Sequence, residues 1–458
     1  MDLQKIIKKY SENLDFLELN LRSSRNEAIS LNDGLTNTSS SFGNGHSVRA
    51  LFKGAWGFSA SNNESVEKTI MKAVENAKFL SKTNKFKIKK FELNPIKGDE
   101  KSLCRKNPFD IDKKEKIKNL MVIEKEIKKD DKIKSASLAY SFSNINSHLV
   151  NSFGSDVSFE RTYSYAKCVV FAKQGEKVEI GYESLGKKQG YEFIDSLDFS
   201  MYQNAVNKAK KLLSSKPAPA GKFKVIMDSI MAGTFFHEAI GHACEADAVL
   251  QNNSVFKNRI GKKIGAEYVN VYDSPIEEKE STGNYEYDDE GIKSGKLCLI
   301  KNGVLENYMH SVETATRMGV EPTGNGRKEN ITGNPIPRMS ITVVNSGTWK
   351  TDELIKDTKE GIFLKGCSNG CTDTLKGDFT FEASEGIIIR NGELTDETIK
   401  GACLMGNTKT ILNEIDACTD KQIMDWSASR CGKAGAYVPV QSKCPSIRLL
   451  KCLIGGVQ

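Results

Sequence analysis

The stretch Phe236-His237-Glu238-Ala239-Ile240-Gly241-His242 places two of the chain's five histidines beside a glutamate. A neutral imidazole is a ligand for Zn²⁺, and a carboxylate next to the metal can take a proton from bound water. Zinc-protease helices commonly space their histidines four residues apart, which puts both on one face. Here the spacing is five residues, which on an ideal helix separates the side chains by roughly 140°. We therefore predict a distorted helix, with the distortion at or near Gly241, because glycine tolerates such bulges.

A third metal ligand must come from elsewhere, because a catalytic zinc ion needs three protein ligands and an open position for water. Glu245 follows His242 by three residues and could either bind the metal or orient the histidines, and Asp247 is close to it. His310 is a lone histidine, which is more often structural. Cys431 stands in a glycine-containing stretch, and a thiolate is a strong zinc ligand. Spacing alone does not rank Cys431 above Glu245.

The composition is that of an ordinary globular protein of two or three domains. The chain has 458 residues, 38% of them hydrophobic and 27% charged, and its net charge is +7. The excess positive charge comes from lysines scattered along predicted helices and connectors, without the interleaved aromatic residues of a nucleic-acid groove. This pattern argues against nucleic-acid binding and for a solvated lysine-rich surface.

The cysteines and the apolar segments indicate a cytoplasmic protein without membrane spans. The eleven cysteines are an odd number and are spread along the chain, which is typical of free thiols in a reducing compartment. We recognise no signal peptide, and no apolar run approaches the ~18 residues that a membrane helix needs. Cys367 and Cys371 lie four residues apart, but no second pair accompanies them, and we interpret them as structural or incidental.

Residues 1–215 are predicted to form an α+β domain in which one order of elements occurs twice. The first round comprises a helix at 3–10, strands at 16–31, 45–52 and 55–60, a polar loop at 36–44 and a helix at 64–81. After a lysine-rich connector, the second round comprises a helix at 111–129, strands at 135–142, 148–152, 158–171 and 178–182, and a helix at 199–213. The repeated order of helix, antiparallel meander and helix suggests an internal duplication.

Residues 222–458 are predicted to form a second domain, largely of antiparallel sheet, that carries the metal-binding helix. The Pro- and Ser-rich stretch 214–221 is the clearest linker in the chain. After a short strand at 223–227, Asp228 or Ser229 can cap the helix. The strand predicted at 377–386 has two interpretations: an accessible edge that binds an extended substrate, or an internal core strand.

Four motifs in the same order resemble the TldD/PmbA family, also called modulators of DNA gyrase. They are the HExxxH motif within His237-Glu238-Ala239-Ile240-Gly241-His242, then Thr323-Gly324-Asn325-Gly326-Arg327, then Gly377-Asp378-Phe379-Thr380-Phe381, and finally Cys431-Gly432-Lys433-Ala434-Gly435. The N-terminal residues 45–58 also resemble the opening domain of that family, so that the resemblance covers essentially the whole chain. Relatives often carry a glutamine after the last motif, where this chain has Ala436-Tyr437. We therefore assign no residue of this chain the role of that glutamine.

The resemblance implies a TldD-type zinc metallopeptidase that degrades unfolded peptides held in extended form. It implies that His237, His242 and Cys431 bind the zinc ion, with Glu238 as the base that activates water. It also implies an α+β N-terminal domain, a largely antiparallel C-terminal domain, and pairing with a TldE/PmbA-like paralogue, although a homodimer is also compatible with one sequence. For the group that stabilises the oxyanion we consider Arg327 and Tyr437.

The rival interpretations are non-catalytic. A TldE/PmbA-like partner subunit or a peptide-binding regulator has the same fold but lacks the metal motif, which this chain retains. A nucleic-acid-associated regulator is suggested only by the family's gyrase-linked name, and failure to bind DNA at low salt would exclude it.

Overall fold

The computed structural model describes residues 2–83 and 92–456, and part of the predicted lysine-rich connector, 84–91, lies outside the described residues. The first half of the chain is mixed α and β, as predicted. Its helices are α1 (Leu3–Tyr10), α2 (Val66–Ser81), α3 (Lys113–Ile127), α4 (Glu192–Asp195) and α5 (Ser200–Ser214). Its strands are β1 (Phe16–Asn32), β2 (Leu35–Phe52), β3 (Ala55–Ser61), β4 (Lys97–Glu100), β5 (Ile133–Asn151), β6 (Asp156–Gln174) and β7 (Lys177–Lys187).

Two antiparallel meanders join into one sheet, and each is followed by a helix that packs on it. β1–β2–β3 and β5–β6–β7 meet where β1 pairs antiparallel with β5, and the short β4 pairs parallel with β6. A Cβ atom added at Gly57 in β3 would lie 2.1 Å from the Ala73 carbonyl oxygen of α2. One added at Gly181 in β7 would lie 1.8 Å from the Ala205 carbonyl oxygen of α5. Both halves therefore use a glycine in the last strand to bring the following helix close, which supports the suggested duplication.

Two predictions for this sheet were wrong in the same way. The predicted polar loop 36–44 is part of β2 and pairs residue by residue with β1. The predicted strands 135–142 and 148–152 are one strand, β5, which is paired with β1 on one side and β6 on the other. Cross-strand hydrogen bonds stabilise these polar stretches as strands, whereas the Ser and Asn content indicated turns.

The second half contains two larger sheets with the metal-motif helix between them. Its helices are α6 (Ser229–Phe236), α7 (Ala246–Leu250), α8 (Val312–Met318), α9 (Thr351–Thr358) and α10 (Thr408–Ile411). Its strands are β8 (Lys216–Pro217), β9 (Gly221–Met227), β10 (Val271–Asp273), β11 (Leu297–Lys301), β12 (Val304–Leu305), β13 (Gly326–Arg327), β14 (Ile336–Pro337), β15 (Ile341–Val344), β16 (Gly361–Thr372), β17 (Asp378–Arg390), β18 (Glu393–Lys400), β19 (Cys403–Asn407), β20 (Ile415–Cys418), β21 (Ile423–Asp425), β22 (Arg430–Lys433), β23 (Ala436–Pro439), β24 (Gln441–Cys444) and β25 (Ile447–Gly455).

The sheet order explains how α6 is held. One sheet runs β16-β9-β25-β19-β17-β18-β8, with β20 on β25, and the other runs β12-β11-β10-β15-β24-β21. Most neighbours are antiparallel, as predicted, but β9 and β16, β15 and β24, and β8 and β18 are parallel. Phe235 of α6 lies edge-on to Phe379 and Phe381, with ring centroids 5.4 and 6.0 Å away. Such buried aromatic contacts fix the helix on the sheet.

Two further details correct the sequence-based expectations. β17, which contains most of the stretch 377–386, is paired with β16 on one side and with β19 and β18 on the other, so the internal-strand interpretation holds and the edge interpretation is wrong. Part of the predicted linker, Lys216–Pro217, is a strand of the large sheet. The division of the chain into domains 1–215 and 222–458 stays a prediction.

Buried ion pairs connect the first sheet to the second half of the chain. Arg22 contacts Asp289 at 2.9 Å, and Arg49 bridges Glu18 and Glu290 at 2.6 and 2.5 Å. All eleven cysteines lie in the described part of the chain, and none of them forms a disulfide. Within the same residues, no helix is both long enough and apolar enough to cross a membrane.

Candidate metal centre

The helix of the HExxxH motif starts and changes pitch as the sequence predicted. Asp228 caps α6 by accepting a hydrogen bond from the Met231 backbone N–H at 2.8 Å. After Phe236 the backbone forms a π-helical turn over His237–Gly241 and then a 3₁₀ turn over His242–Cys244. A π turn accommodates one extra residue per turn, so the five-residue spacing still places both imidazoles together. The predicted distortion is confirmed.

Gly241 is needed there for a different reason from the one expected. Its φ of −56° is ordinary helical geometry, so the conformational freedom of glycine is not used. A Cβ atom at this position would lie 1.8 Å from Sδ of Met339. The missing side chain therefore lets the turn pack against the segment that precedes β15.

Cys431 lies in the tight hairpin β22–β23, which positions it at the metal cluster. Ala434 and Gly435 form its two-residue turn with φ values of 51° and 77°. The fully buried Arg338 holds the hairpin by donating to the carbonyl oxygens of Cys431 and Ala436 at 2.6 and 3.1 Å. This clamp fixes the backbone of Cys431 without using its thiol.

The side chains of His237, His242 and Cys431 converge. One potential ligand atom from each lies within 4.8 Å of the others, and Sγ of Cys431 is 3.2 Å from Nε2 of His242. Nε2 of His237 is buried and has no hydrogen-bond partner among the described residues, while its Nδ1 faces Oγ1 of Thr342 at 3.4 Å. Residues 2–83 and 92–456 contain no other group of three or more His, Cys, Asp or Glu side chains arranged to hold a metal ion. Two imidazole nitrogens, one of them unpartnered, and a thiol are a donor set that fits Zn²⁺.

Electrostatics favour the metal-binding form of the cysteine. Burial disfavours the thiolate, but the neighbouring His237 and His242 outweigh it and lower the pKa of Cys431 to about 4. Burial likewise opposes a charged His237, yet the Cys431 thiolate raises the pKa of that imidazole above its ordinary value. The cysteine is therefore a thiolate at neutral pH, as a metal ligand must be.

Glu238 stands beside this cluster and is open to solvent. Its Oε2 is 3.6 Å from Nε2 of His242, and its side chain is 30% exposed. A carboxylate in this position is within reach of a water molecule at the cluster.

Glu245 lies behind the cluster. It is almost completely buried, and its Oε2 accepts a hydrogen bond from Nδ1 of His242 at 2.8 Å, whereas Nε2 of that ring faces Cys431. Lys433 is 3.0 Å from the same carboxylate, and Arg338 is 3.7 Å from its other oxygen. Although burial opposes its charge, His242 and Lys433 lower the pKa of Glu245 to about 2. Of the two roles considered from the sequence, this geometry favours orienting the histidine.

We expect Glu245→Gln to weaken zinc binding about 10-fold or more, because the charge that orients and strengthens the imidazole is lost. Competition with a chromogenic chelator at neutral pH measures this change. Asp247→Asn is the matched control, since Asp247 contacts Lys433 at 2.7 Å but no histidine. Equal zinc affinity of Glu245→Gln and the control would contradict the orienting role.

The remaining predicted residues lie apart from the cluster. His310 is buried near Thr314, with 3.3 Å between Nδ1 and Oγ1, and burial lowers its pKa to about 4. Arg327 and Tyr437, considered for the oxyanion, line a neighbouring cavity. Sequence reasoning missed Arg338 and Lys433, because no spacing relates them to the histidines; only Lys433 lay within a recognised motif.

Models of three domains of the PmbA/TldA metallopeptidases match this chain. Domain 1 matches residues 17–81, the central domain matches 106–213, and the C-terminal domain matches 220–456, which is more than half of the chain. The chain belongs to the PmbA/TldD metallopeptidase family. The resemblance inferred from the four motifs is thereby confirmed.

Two relatives of this PmbA/TldD protein match it over most of their length. A metalloprotease of Methanocaldococcus jannaschii is 42% identical over 96% of this chain and 97% of the relative. A zinc metalloprotease TldD homologue of Saccharolobus solfataricus is 29% identical over 90% of each chain. The crystal structure of TldE from Thermococcus kodakarensis has a TM-score of 0.75 at 20% identity and covers 99% of this chain and 100% of its own, which shows a common fold.

Proposed function

We propose that this protein is a zinc-dependent peptidase that hydrolyses peptide bonds in unfolded or extended peptides. The observation that carries the proposal is the convergence of His237, His242 and Cys431, with Glu238 beside them, in a chain of a metallopeptidase family. The zinc named for the Saccharolobus relative agrees with this donor set.

Each residue has a distinct role in this proposal. His237, His242 and Cys431 hold the ion, which when bound lowers the pKa of water and polarises the peptide carbonyl. Glu238 accepts the proton of the attacking water and passes it to the leaving amine. Glu245 keeps the His242 ring oriented through Nδ1, and Arg338 keeps the cysteine hairpin in place.

The free edge of β2 supports an extended substrate. Residues 35–45 of β2 pair with β1, but within the described residues no strand covers their other edge, since β3 ends opposite His46. An extended peptide can add to such an edge by main-chain hydrogen bonds, whereas a folded protein cannot. This edge replaces the strand at 377–386 that was considered from the sequence.

A second subunit is also part of the proposal. TldE shares the fold of this chain, and pairing with a TldE/PmbA-like paralogue or with a second copy fits the family. A non-catalytic partner subunit is the alternative function, and the retained metal cluster argues against it.

Metal removal tests the proposal directly. Chelation followed by dialysis is expected to abolish cleavage of an unstructured peptide, and one equivalent of Zn²⁺ is expected to restore it. Mass spectrometry of the products, with a compact folded protein as the control substrate, measures the effect with and without a candidate paralogue. Cleavage that continues in the metal-free protein, or a failure to bind zinc, would contradict the proposal.

A further inference from the structure

A cavity of about 310 Å³ lies between the first sheet and the hairpin that carries Cys431. The first sheet contributes polar side chains from β1, β2, β5 and β6, including Ser39, Ser40 and Ser41 beside the free edge of β2. The hairpin contributes Arg430, the residue that precedes Cys431, and Val438, the residue that pairs with it. The cavity therefore borders the hairpin that carries Cys431 and also the strand edge offered to a peptide.

The carboxylates that line this cavity are already engaged within the protein. Glu27 forms an ion pair with Lys116, and Asp289 contacts Arg22 at 2.9 Å. Glu329 accepts a hydrogen bond from the backbone N–H of Tyr437, in β23, at 3.1 Å. Another lining arginine, Arg161, is paired with Glu100. Within the described residues, the two lining arginines that make no ion pair are therefore Arg327 and Arg430.

Arg327 is a buried cation on the wall of this cavity. It is 5% exposed, and one of its guanidinium nitrogens donates to the Met339 carbonyl oxygen at 2.6 Å, with the Tyr285 ring centroid 5.0 Å away. No carboxylate in the described part of the chain forms an ion pair with it. Asp273 lies near enough to interact electrostatically with Arg327, but its carboxylate accepts hydrogen bonds from Ser340 and from the side-chain amide of Asn325. Because Asp273 does not pair with Arg327 directly, the buried charge is only partly compensated, which favours an anion that is supplied from outside.

Arg430 offers a second guanidinium to the same cavity. Its side chain is exposed, and its contact with the protein is a long one of 3.5 Å to the carbonyl oxygen of Tyr437. Residues 2–83 and 92–456 provide no carboxylate within ion-pair distance of this arginine. Arg327 and Arg430 together can bind a planar carboxylate, since guanidinium groups match its geometry.

We propose that this cavity binds a carboxylate of the peptide substrate, recognised by Arg327 and Arg430. The inference rests on the proposed peptidase function and adds a substrate preference to it. Because Arg430 and Cys431 lie on the same hairpin, a carboxylate held here anchors the peptide at the element that carries Cys431. The carboxylate can be the peptide's C-terminus or an Asp or Glu side chain, and both have the chemistry that the cavity recognises.

Binding of three labelled peptides distinguishes these sources. The first has a free C-terminal carboxylate and no acidic side chain, the second is its C-terminal amide, and the third is the amide with one added glutamate. Fluorescence anisotropy with the zinc-loaded Glu238→Gln protein gives the affinities, and mass spectrometry verifies that each peptide stays intact. The uncharged amide is expected to bind about 10-fold or more weakly than the best anionic peptide.

Variants then assign the preference to the cavity. Arg430→Gln alters an exposed side chain. It is expected to weaken binding of the anionic peptide roughly 10-fold and to leave the affinity for the amidated peptide unchanged, so that the preference disappears. Arg327→Lys retains the buried positive charge but lacks the planar guanidinium that matches a carboxylate. Thermal unfolding verifies that this variant folds. Arg105→Gln, at an exposed site away from the cavity, is the charge-matched control.

Three results would overturn the inference: equal affinity for all three peptides, an unchanged preference in both Arg430→Gln and Arg327→Lys, or an equal loss in Arg105→Gln. Preference for the free C-terminus, or for the added glutamate, supports it and identifies the source. Zinc-dependent cleavage of the amidated peptide is measured separately. If that cleavage persists without any carboxylate preference, the peptidase function stands and the inference about the cavity fails.

Discussion

Replacing Cys431 by serine is expected to eliminate zinc binding together with peptide cleavage, whereas Glu238→Gln is expected to eliminate cleavage and leave the zinc in place. The cysteine is a thiolate at neutral pH, since its pKa is about 4, and a serine hydroxyl remains neutral there. Zinc affinity should fall more than about 100-fold, beyond what losing an orienting residue costs. Loss of a general base should slow cleavage roughly 10²- to 10⁴-fold.

The contrast between the two variants is what tests the assignment. Zinc content by inductively coupled plasma mass spectrometry and cleavage rates of one unstructured peptide provide the two readouts. Cys371→Ser, at an exposed cysteine, and Glu75→Gln, on the surface of α2, are matched controls that should retain both properties. Full zinc occupancy in Cys431→Ser would remove this residue from the ligand set. Normal cleavage by Glu238→Gln would remove the proposed base.

The sequence predicted the part of this site that depends on local geometry. Five-residue spacing is incompatible with one face of an ideal helix, so the distortion at His237–Gly241 follows from the period of the helix once both histidines are taken to bind one metal ion. The contribution of Cys431, 189 residues after His242, is not encoded in spacing. It was reached through family resemblance, and from the residues alone Glu245 remained an equal candidate.

Contacts between distant segments explain what sequence reasoning missed or placed wrongly. Arg338 connects the hairpin of Cys431 with Glu245, and nothing in its neighbours along the chain indicates this role. The stretch 36–44 carries the composition of a loop, but β1 pairs with its whole length. For 377–386, alternation of apolar residues is the same for an edge and an internal strand, and the sheet order decides between them.

A buried cluster around Glu100 connects the two halves of the molecule. Arg161 contacts both oxygens of this carboxylate at 3.1 and 2.8 Å, and Lys188 forms a further ion pair with it. The same carboxylate accepts the backbone N–H of Glu286, in the second half of the chain, at 3.1 Å. Glu100 is 2% exposed, so both cations depend on it for compensation.

Glu100→Gln is therefore expected to reduce the free energy of unfolding by about 3–5 kcal/mol, since it leaves two buried cations without their anion. Urea denaturation at pH 7, followed by fluorescence and circular dichroism, measures the loss. Asp99→Asn is the matched control on the same strand, because Asp99 forms only a surface pair with Lys101 and its loss should cost less than about 1 kcal/mol. A comparable loss in both variants would contradict this account.

The pH dependence gives an independent test of the same cluster. Burial raises the pKa of Glu100, but Arg161 and Lys188 outweigh it and bring the pKa to about 2, below the ordinary value of 4.5. A carboxyl group whose pKa is lowered by folding contributes stability above its unfolded pKa and loses it as the pH falls toward the folded pKa. The difference in unfolding free energy between wild type and Glu100→Gln should thus be constant from pH 6 to 8 and shrink below about pH 4.5. A difference that stayed constant down to the lowest pH at which the protein folds would mean that the charge of Glu100 does not hold the two halves together.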